Sequence, residues 1–356
     1  MSQVVALHGR VFGVNPVRRP QWLAKHLEEI LFKNPWHDAS LPSLVSAENG
    51  RITGFLGIMP RPMMLQGETV RAAVCTQFMV DPQHHVDLAA VRLLKAFFSG
   101  PQDLSLSDGA SSDTRRMWLA LGGTAPFLYS LRWVRPLRPA RYLLSQLGRR
   151  TTGLESLARM SRPLAAVFDA AIARLSPERR DESDTGLTDE PLQSATMFAH
   201  LSEFMRGTVL QPTYDAGALA WLLDQLALTT HHGTLRARGV MDGTRLLGWY
   251  IYHQKPQAAA EVVQLAAREG ALERVVRRFL ADARRNGATV ARGRLEPRFI
   301  QALSEHSCWF RQENTWTLFH SRNKDLLAAA HQGSVFLSRL ECEWWLRFLD
   351  ESESES

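Results

Sequence analysis

Two stretches of this chain carry the same strand-turn-strand pattern, and this pattern constrains the fold more than any other feature. Residues 44–57 place Asn49-Gly50 between two runs of apolar and β-branched residues, and residues 235–250 place Asp242-Gly243 in the same setting. Asn-Gly and Asp-Gly favour tight hairpins, because the preferred two-residue turns need positive φ. Each stretch therefore predicts a β-hairpin.

The order of elements around the hairpins repeats as well. A helical pattern at residues 19–32 precedes the first hairpin, and helical patterns at 194–205 and 215–228 precede the second. A single glycine-containing turn is common, so the shared order of elements is the stronger sign of repetition. We predict a tandem of two related α/β units.

The length of the chain agrees with two domains. A chain of 356 residues exceeds the size at which one hydrophobic core usually keeps growing. Apolar residues recur at helical spacing between 138 and 180, and an acidic loop with Gly and Pro follows at 181–191. We predict an N-terminal lobe at 1–137, a helical connector with the acidic loop at 138–192, a C-terminal lobe at 193–349 and an acidic, disordered tail at 350–356.

The sequence gives no sign of a membrane segment or of a secretory signal. It contains no run of about 18 apolar residues, and its N-terminus lacks a basic segment followed by an apolar one. We therefore expect a cytoplasmic protein without integral membrane association. Cys75, Cys308 and Cys342 are far apart and form no CxxC pair, so we expect neither a disulfide framework nor a metal site.

The formal net charge of +6 would suit an anionic ligand, an acidic surface or a nucleic acid. Only five of the 42 basic residues are lysines, and the basic-aromatic pattern of RNA-binding modules is absent from the sequence. We expect no DNA partner and keep tRNA as an alternative partner. The oligomeric state is left open.

A candidate anion site follows the first hairpin. Residues 71–80 predict a strand that ends at Asp81-Pro82, because proline cannot donate to a ladder. A polar turn at 83–87 then leads into a helix whose apolar face includes Leu88 and Leu94. The N–H groups and the dipole at a helix N-terminus favour an anion there.

A second strand-helix pair completes the first lobe. Residues 104–107 predict a short strand, and residues 111–121 predict a helix with Ser111 or Ser112 as its N-cap and Gly122 beyond its C-terminus. Residues 129–134 are expected to return as the last strand of this lobe. Residues 315–320 are expected to form the last strand of the second lobe.

This order of elements resembles the GNAT acyltransferase superfamily. In that family a strand ending in a Val-x-Pro-like phrase runs into a loop, Gln/Arg-x-x-Gly-x-Gly/Ala, that holds the pyrophosphate of coenzyme A. The strand end is matched by Phe78, Val80 and Pro82, the basic residue of the loop by His85, and its last small residue by Ala90. Val86 and Leu88 stand where the family has its two glycines.

The resemblance implies a fold class and a co-substrate. The fold would be α/β (α+β), with two tandem GNAT-like lobes that each contain a mixed, mostly antiparallel sheet flanked by helices. The N-terminal lobe would bind acetyl-CoA or another acyl-CoA, without a metal. The implied coenzyme-binding residues are Phe78, Met79, Val80, His85, Val86, Asp87, Leu88, Ala89, Ala90 and Ser111. The C-terminal lobe has one glycine and no recognisable pyrophosphate loop after its strand at 261–267, so it would lack a coenzyme site.

Acyl transfer to an amine needs a proton acceptor and a donor to the thioester oxyanion. The candidate catalytic residues are Asp81 and His84 at the end of the strand, and Gln77 within it. A solvated polar turn would explain His84 equally well. The family helix often carries a Tyr as general acid, and this chain has Trp118 there, whose indole cannot supply that proton.

The resemblance implies an acyltransferase that acts on an amine or sugar acceptor, such as a small molecule or a polymer precursor. One alternative is a Fem-type aminoacyl transferase that uses aminoacyl-tRNA, which the basic charge would suit. The other alternative is a non-catalytic ligand-binding or scaffold protein with the same fold, which the missing glycines and the missing Tyr favour.

Overall fold

The computed structural model describes residues 1–12, 20–82, 88–150, 168–169 and 186–344. Its α-helices are α1 (Ser2–Phe12), α2 (Pro20–Phe32), α3 (Ala89–Phe98), α4 (Ser112–Ala120), α5 (Pro139–Arg150), α6 (Ser194–Phe204), α7 (Ala216–Leu228), α8 (Leu272–Arg285), α9 (Ile300–Glu305) and α10 (Lys324–His331). Its strands are β1 (Leu44–Glu48), β2 (Arg51–Leu65), β3 (Glu68–Val80), β4 (Leu104–Ala110), β5 (Leu131–Pro136), β6 (Leu187–Pro191), β7 (Leu210–Pro212), β8 (Thr234–Asp242), β9 (Arg245–Gln254), β10 (Ala259–Ala267), β11 (Val290–Arg294), β12 (Trp309–Gln312) and β13 (Trp316–His320). Among these helices, none is both long and apolar enough to cross a membrane.

The strands form two sheets. The first has the order β1-β2-β3-β4-β13, with β7 also pairing with β2, and the second has the order β12-β5-β11-β10-β9-β8-β6. The hairpins β1-β2, β2-β3, β8-β9 and β9-β10 are antiparallel, whereas β3 pairs in parallel with β4, and β10 with β11. Two mixed sheets flanked by helices confirm the predicted α/β (α+β) class.

The turns of the hairpins follow from local backbone preferences. Asn49 and Gly50 have φ of 50° and 74°, as the predicted turn requires, and Gln66-Gly67 makes a further turn of this kind with φ of 51° and 96°. In the second repeat, Asp242 pairs with Arg245, so the two turn residues are Gly243 and Thr244. The predicted hairpin is present there, but its turn is shifted by one residue, with positive φ at Gly243.

Two strands belong to a different sheet from the one that the sequence predicts. β5 pairs with β11 in the second sheet, where Arg135 lies opposite Ala291. β13 pairs with β4 in the first sheet, where Phe319 lies opposite Leu106. The prediction that residues 129–134 close the first lobe and residues 315–320 the second is therefore wrong. Both strands are short, and local sequence does not specify which partner such a strand meets.

The two compact units are accordingly interleaved along the chain. The first comprises Met1–Ser130, Gly207–Leu226 and the chain from Gln312, and the second comprises Leu131–Arg206 and Ala227–Arg311. This division replaces the consecutive lobes expected at 1–137 and 193–349.

In the region expected to link the lobes, α5 is helical as predicted, whereas the end of the acidic loop differs from its prediction. The last five residues of the expected acidic loop form β6, which pairs with β8. The connector at 151–167, the stretch at 170–185 and the tail at 350–356 lie outside the described residues.

The core of the first unit lies between its sheet and α3 and α4. Ile58 of β2 and Cys75 of β3 pack with Phe97 of α3 and Trp118 of α4. Trp118 is fully buried, and its Nε1 donates to the Phe319 carbonyl at 2.9 Å. That hydrogen bond satisfies the indole N–H and holds β13 against α4.

The core of the second unit is built around α8, which alternates arginines with apolar residues at helical spacing. Its buried Phe279 lies with its ring centroid 5.3 Å from that of Tyr252 on β9. Asp282 of the same helix accepts a hydrogen bond from the Tyr252 hydroxyl at 2.7 Å and pairs with Arg236 of β8 at 3.1 Å. The helix is thus fixed to the sheet by both apolar and ionic contacts.

A fragment that ends at residue 137 should not fold as an independent lobe, because the first unit also needs β7, β13 and the buried residues 335–342. We expect no cooperative thermal transition of this fragment by circular dichroism, whereas the full chain should unfold cooperatively. Addition of the separately expressed fragment 138–356 is the control for complementation. A cooperative transition of the isolated fragment would contradict the interleaved organisation.

Candidate functional site

The first sheet opens between β3 and β4. These strands pair in parallel over three positions only, with Ala72 opposite Leu104, Ala73 opposite Ser105 and Val74 opposite Leu106. β3 nevertheless continues to Val80, paired with β2, and β4 continues to Ala110, paired with β13. We call the space between residues 75–80 and 107–110 the strand opening. An extended ligand can add to a strand edge of this kind through backbone hydrogen bonds.

A β-bulge turns the backbone of β3 beside the strand opening. Thr76 pairs with Gly57 of β2, and Met79 pairs with Phe55. Two residues of β3, Gln77 and Phe78, therefore lie opposite the single residue Leu56. Gln77 has φ of 49°, a conformation that costs energy for a residue with a side chain and that clusters at functional sites. The predicted catalytic residue Gln77 and the predicted coenzyme contact Phe78 are therefore the bulge residues, and both are half-buried.

The N-terminus of α3 presents its backbone without a side-chain cap. Leu88 is the N-cap residue, with φ of 52°, and it is 63% exposed. The prediction that Leu88 lies on the apolar face of the helix is wrong, because its left-handed conformation directs the side chain into solvent. Ala89 and Ala90 form the first turn, whose N–H groups have no acceptor within the helix. The other predicted loop residues, His84, His85, Val86 and Asp87, lie outside the described residues.

Solved structures share this architecture. A GCN5-related N-acetyltransferase from Anabaena variabilis is 14% identical, with a TM-score of 0.54 over 89% of this chain and 69% of that chain. Another from Kribbella flavida is 13% identical, with a TM-score of 0.51 over 89% of this chain and 67% of that chain. A protein of unknown function from Enterococcus faecalis, described as a probable N-acyltransferase, is 8% identical, with a TM-score of 0.54 over 93% and 70%.

The chain has the GCN5-related N-acetyltransferase (GNAT) fold. At these identities the likeness concerns the fold alone. No protein-family model matches the sequence, and no curated protein sequence matches it significantly.

Within the GNAT fold of the first unit, α4 has the two ends that its sequence predicts. Ser111 is the N-cap, and its Oγ accepts a hydrogen bond from Thr114 N at 3.2 Å. At the other end Gly122 has φ of 89°, and Gly123 N donates to the Trp118 carbonyl at 2.9 Å. The contact of Ser111 with coenzyme stays a prediction.

Asp81, the second predicted catalytic residue, is held at the end of β3 by two arginines. Its side chain is 1% exposed, and Oδ2 accepts from Arg10 Nε at 2.8 Å and from Arg51 Nη2 at 3.4 Å. Its backbone N donates to Thr53 O at 2.8 Å. These contacts join α1 and β2 to the end of β3, so they suit a residue that positions the strand.

A carboxylate that the sequence motifs do not include lies at the strand opening. The last pair of β3 and β4 is Val74 with Leu106, and Cys75 and Ser107 are the next residue of each strand. Because side chains alternate along strands, Cys75 and Ser107 point to the same face of the sheet. The Glu343 carboxylate accepts a hydrogen bond from Ser107 Oγ at 2.6 Å. The backbone N of Glu343 donates to Asp108 Oδ1 at 2.9 Å.

The same carboxylate also affects Cys75. Burial raises the pKa of the Cys75 thiol, and the nearby charge of Glu343 raises it further. A neutral thiol is a poor nucleophile, so the arrangement does not suit Cys75 for covalent catalysis. The sequence signal for Glu343 was weak, because Glu341 and Glu343 both lie in a mostly apolar segment far from β4 in the chain.

The GNAT-like sheet of the second unit has a similar opening with different side chains. β10 and β11 pair in parallel from Ala259 to Glu261, and a bulge follows between Val262 and Gln264. Here Glu261 forms an ion pair with Arg292, and the buried Gln264 accepts a hydrogen bond from the indole N–H of Trp249 at 2.9 Å. Paired polar side chains therefore line the second opening.

Asp81→Asn should lower the free energy of unfolding by about 1–3 kcal/mol, because the hydrogen bonds to Arg10 and Arg51 lose their charge assistance. Urea denaturation measures this loss. Asp113→Asn, at the exposed pair with Arg116, is the matched control and should have little effect. Loss of turnover at unchanged stability would instead assign Asp81 a direct part in proton transfer.

Proposed function

We propose that the first unit binds an acyl-CoA and transfers its acyl group to an amine acceptor on a small molecule, a sugar or a polymer precursor. The observation that carries this proposal is the strand opening beside the bulge of β3. An extended pantetheine arm can pair with the backbone of residues 75–80 on the edge of β3 where pairing with β4 has ended. The thioester carbonyl would then lie next to the bulge.

The backbone at Leu88 supports a pyrophosphate site despite the missing glycine. Its φ of 52° is a conformation that glycine adopts without strain, and its side chain is mostly in solvent. No side chain among the described residues caps the first turn of α3, so its N–H groups can meet an anion, and the helix dipole favours negative charge there. The left-handed backbone of Leu88 supports a pyrophosphate site although the residue is not glycine.

The bulge supports the second requirement of the reaction. When an amine attacks the thioester, negative charge develops on the carbonyl oxygen, and a fixed backbone N–H near that oxygen stabilises the transition state. A bulge turns backbone N–H groups out of the regular ladder direction, so Gln77 and Phe78 can supply such a donor. This would give Gln77 a role through its backbone.

Thermal denaturation with acetyl-CoA, with charged tRNA and without ligand tests the proposal. A ligand at roughly 100 times its Kd adds about 2.7 kcal/mol to the free energy of unfolding, so binding raises the melting temperature measurably. We expect stabilisation by acetyl-CoA alone. Stabilisation by charged tRNA alone would favour a Fem-type transferase, and no stabilisation by either would favour a non-catalytic protein.

Leu88→Asp should weaken acetyl-CoA binding about fivefold or more, because a carboxylate at the N-cap of α3 repels the pyrophosphate and competes for its N–H donors. Calorimetry measures the affinity. Leu88→Asn introduces a similar side chain without charge and should bind nearly as tightly as the unmodified chain. Leu272→Asp, at the start of α8 in the second unit, should leave the affinity unchanged. Equal affinities in all four proteins would place the pyrophosphate elsewhere.

A further inference from the structure

We propose that Glu343 is the proton acceptor of the first unit and takes the proton from the amine that attacks the thioester. This inference rests on the proposed acyl transfer. It adds a catalytic residue that neither the family pattern nor the strand-helix motif of the sequence contains.

The position of Glu343 relative to the two separating strands is the main support. Its carboxylate is hydrogen-bonded to Ser107, and its charge acts electrostatically on Cys75. Ser107 and Cys75 each lie one residue beyond the last pair that joins β4 to β3. Glu343 therefore lies where the two strands begin to separate. Cys75 is two residues before Gln77, the first residue of the bulge that would hold the thioester carbonyl.

Exposure distinguishes Glu343 from three buried carboxylates of the first unit. Glu343 is half-buried, whereas Asp81, Asp108 and Glu341 are buried. The Glu341 carboxylate is already held by the Tyr214 hydroxyl at 2.7 Å and by Ser338 Oγ at 2.6 Å. Glu343 combines access for a substrate with a fixed position, which a general base requires.

The segment that carries Glu343 is anchored on both sides of it. Trp344 is 4% exposed, and the guanidinium of Arg339 lies 4.0 Å from the centroid of its ring. On the preceding side, Cys342 and Glu341 are buried. Such packing fixes a functional side chain within the tolerance that catalysis needs.

With Glu343 as the acceptor, every proton and every bond that changes in the reaction is accounted for. The amine nitrogen bonds to the carbonyl carbon of the thioester, the carbon–sulfur bond breaks, and its electron pair leaves on the sulfur of coenzyme A. The amine proton moves to a Glu343 carboxylate oxygen and is then passed to the departing thiolate. Amide and free coenzyme A are formed, and Glu343 returns to its ionised form.

The test compares Glu343→Gln, Glu343→Asp and Ser107→Ala with the unmodified full-length chain. Thiol release from acetyl-CoA is followed from pH 5 to 10 with a panel of primary amines and with water as acceptors, and acetyl-CoA affinity is measured by calorimetry. Glu305→Gln, on the exposed face of α9, is the matched control. The groups to consider in the pH profile are Asp108 and Cys75 beside Glu343, and Arg339 and Glu341 on its own segment.

We expect Glu343→Gln to lower kcat/KM by about 10²- to 10⁴-fold and to leave only the acid limb that ionisation of the amine itself produces, with acetyl-CoA affinity unchanged. Glu343→Asp should keep the acid limb of the carboxylate at a reduced rate. Ser107→Ala should move the acid limb of the carboxylate to higher pH, because the ionised carboxylate loses a hydrogen bond. Glu305→Gln should match the unmodified chain.

Retention of kcat/KM and of the acid limb of the unmodified chain in Glu343→Gln would overturn the assignment while leaving acyl transfer intact. Acetyl-CoA binding without any thiol release by the unmodified chain would also overturn it. If the unmodified chain does not bind acetyl-CoA, the proposed function itself fails, and the inference fails with it.

Discussion

The pairing of β3 with β4 ends after three residues, and the chemistry proposed for the first unit depends on that separation. Neighbouring strands in a sheet use one another's backbone N–H and C=O groups as hydrogen-bond partners. A ligand can therefore pair with a strand only along an edge where no neighbouring strand is paired. The bulge at Gln77 occurs on the same stretch of β3 and changes the direction of its backbone. In the proposed reaction, the separation would admit an extended thioester and the bulge would supply a donor to its carbonyl oxygen.

The first unit depends on chain segments from three regions of the sequence. β13 completes its sheet, β7 pairs with β2, and the segment Ser338–Trp344 is hydrogen-bonded to Tyr214 and to Ser107. Arg61 of β2 contributes to this assembly, since its Nε donates to the Glu341 carbonyl at 3.3 Å and its guanidinium lies 4.1 Å from the centroid of Trp36. Burial lowers the pKa of Arg61 to about 10, so it remains charged at neutral pH. Its desolvation makes the hydrogen bond to the C-terminal segment costly to break.

The two units share a topology and differ in the side chains at their openings. In the first unit the opening is flanked by Cys75, Ser107 and the half-buried Glu343. In the second unit Glu261 and Arg292 neutralise each other there, and Gln264 is bonded to Trp249. Since a GNAT fold specifies the opening but not its chemistry, these residues are the reason for proposing the reaction in the first unit.

The sequence by itself determined the elements whose signals are local. Asn49-Gly50 specifies its turn because it accepts positive φ, Ser111 and Gly122 specify the ends of α4, and the apolar spacing of α8 specifies its buried face. Only the tertiary structure decided which sheet β5 and β13 join, that Asp81 is bound by two arginines, and that Glu343 meets Ser107. Those outcomes depend on contacts between residues far apart in the chain, and the free energy of such contacts leaves no periodic or local pattern in the sequence.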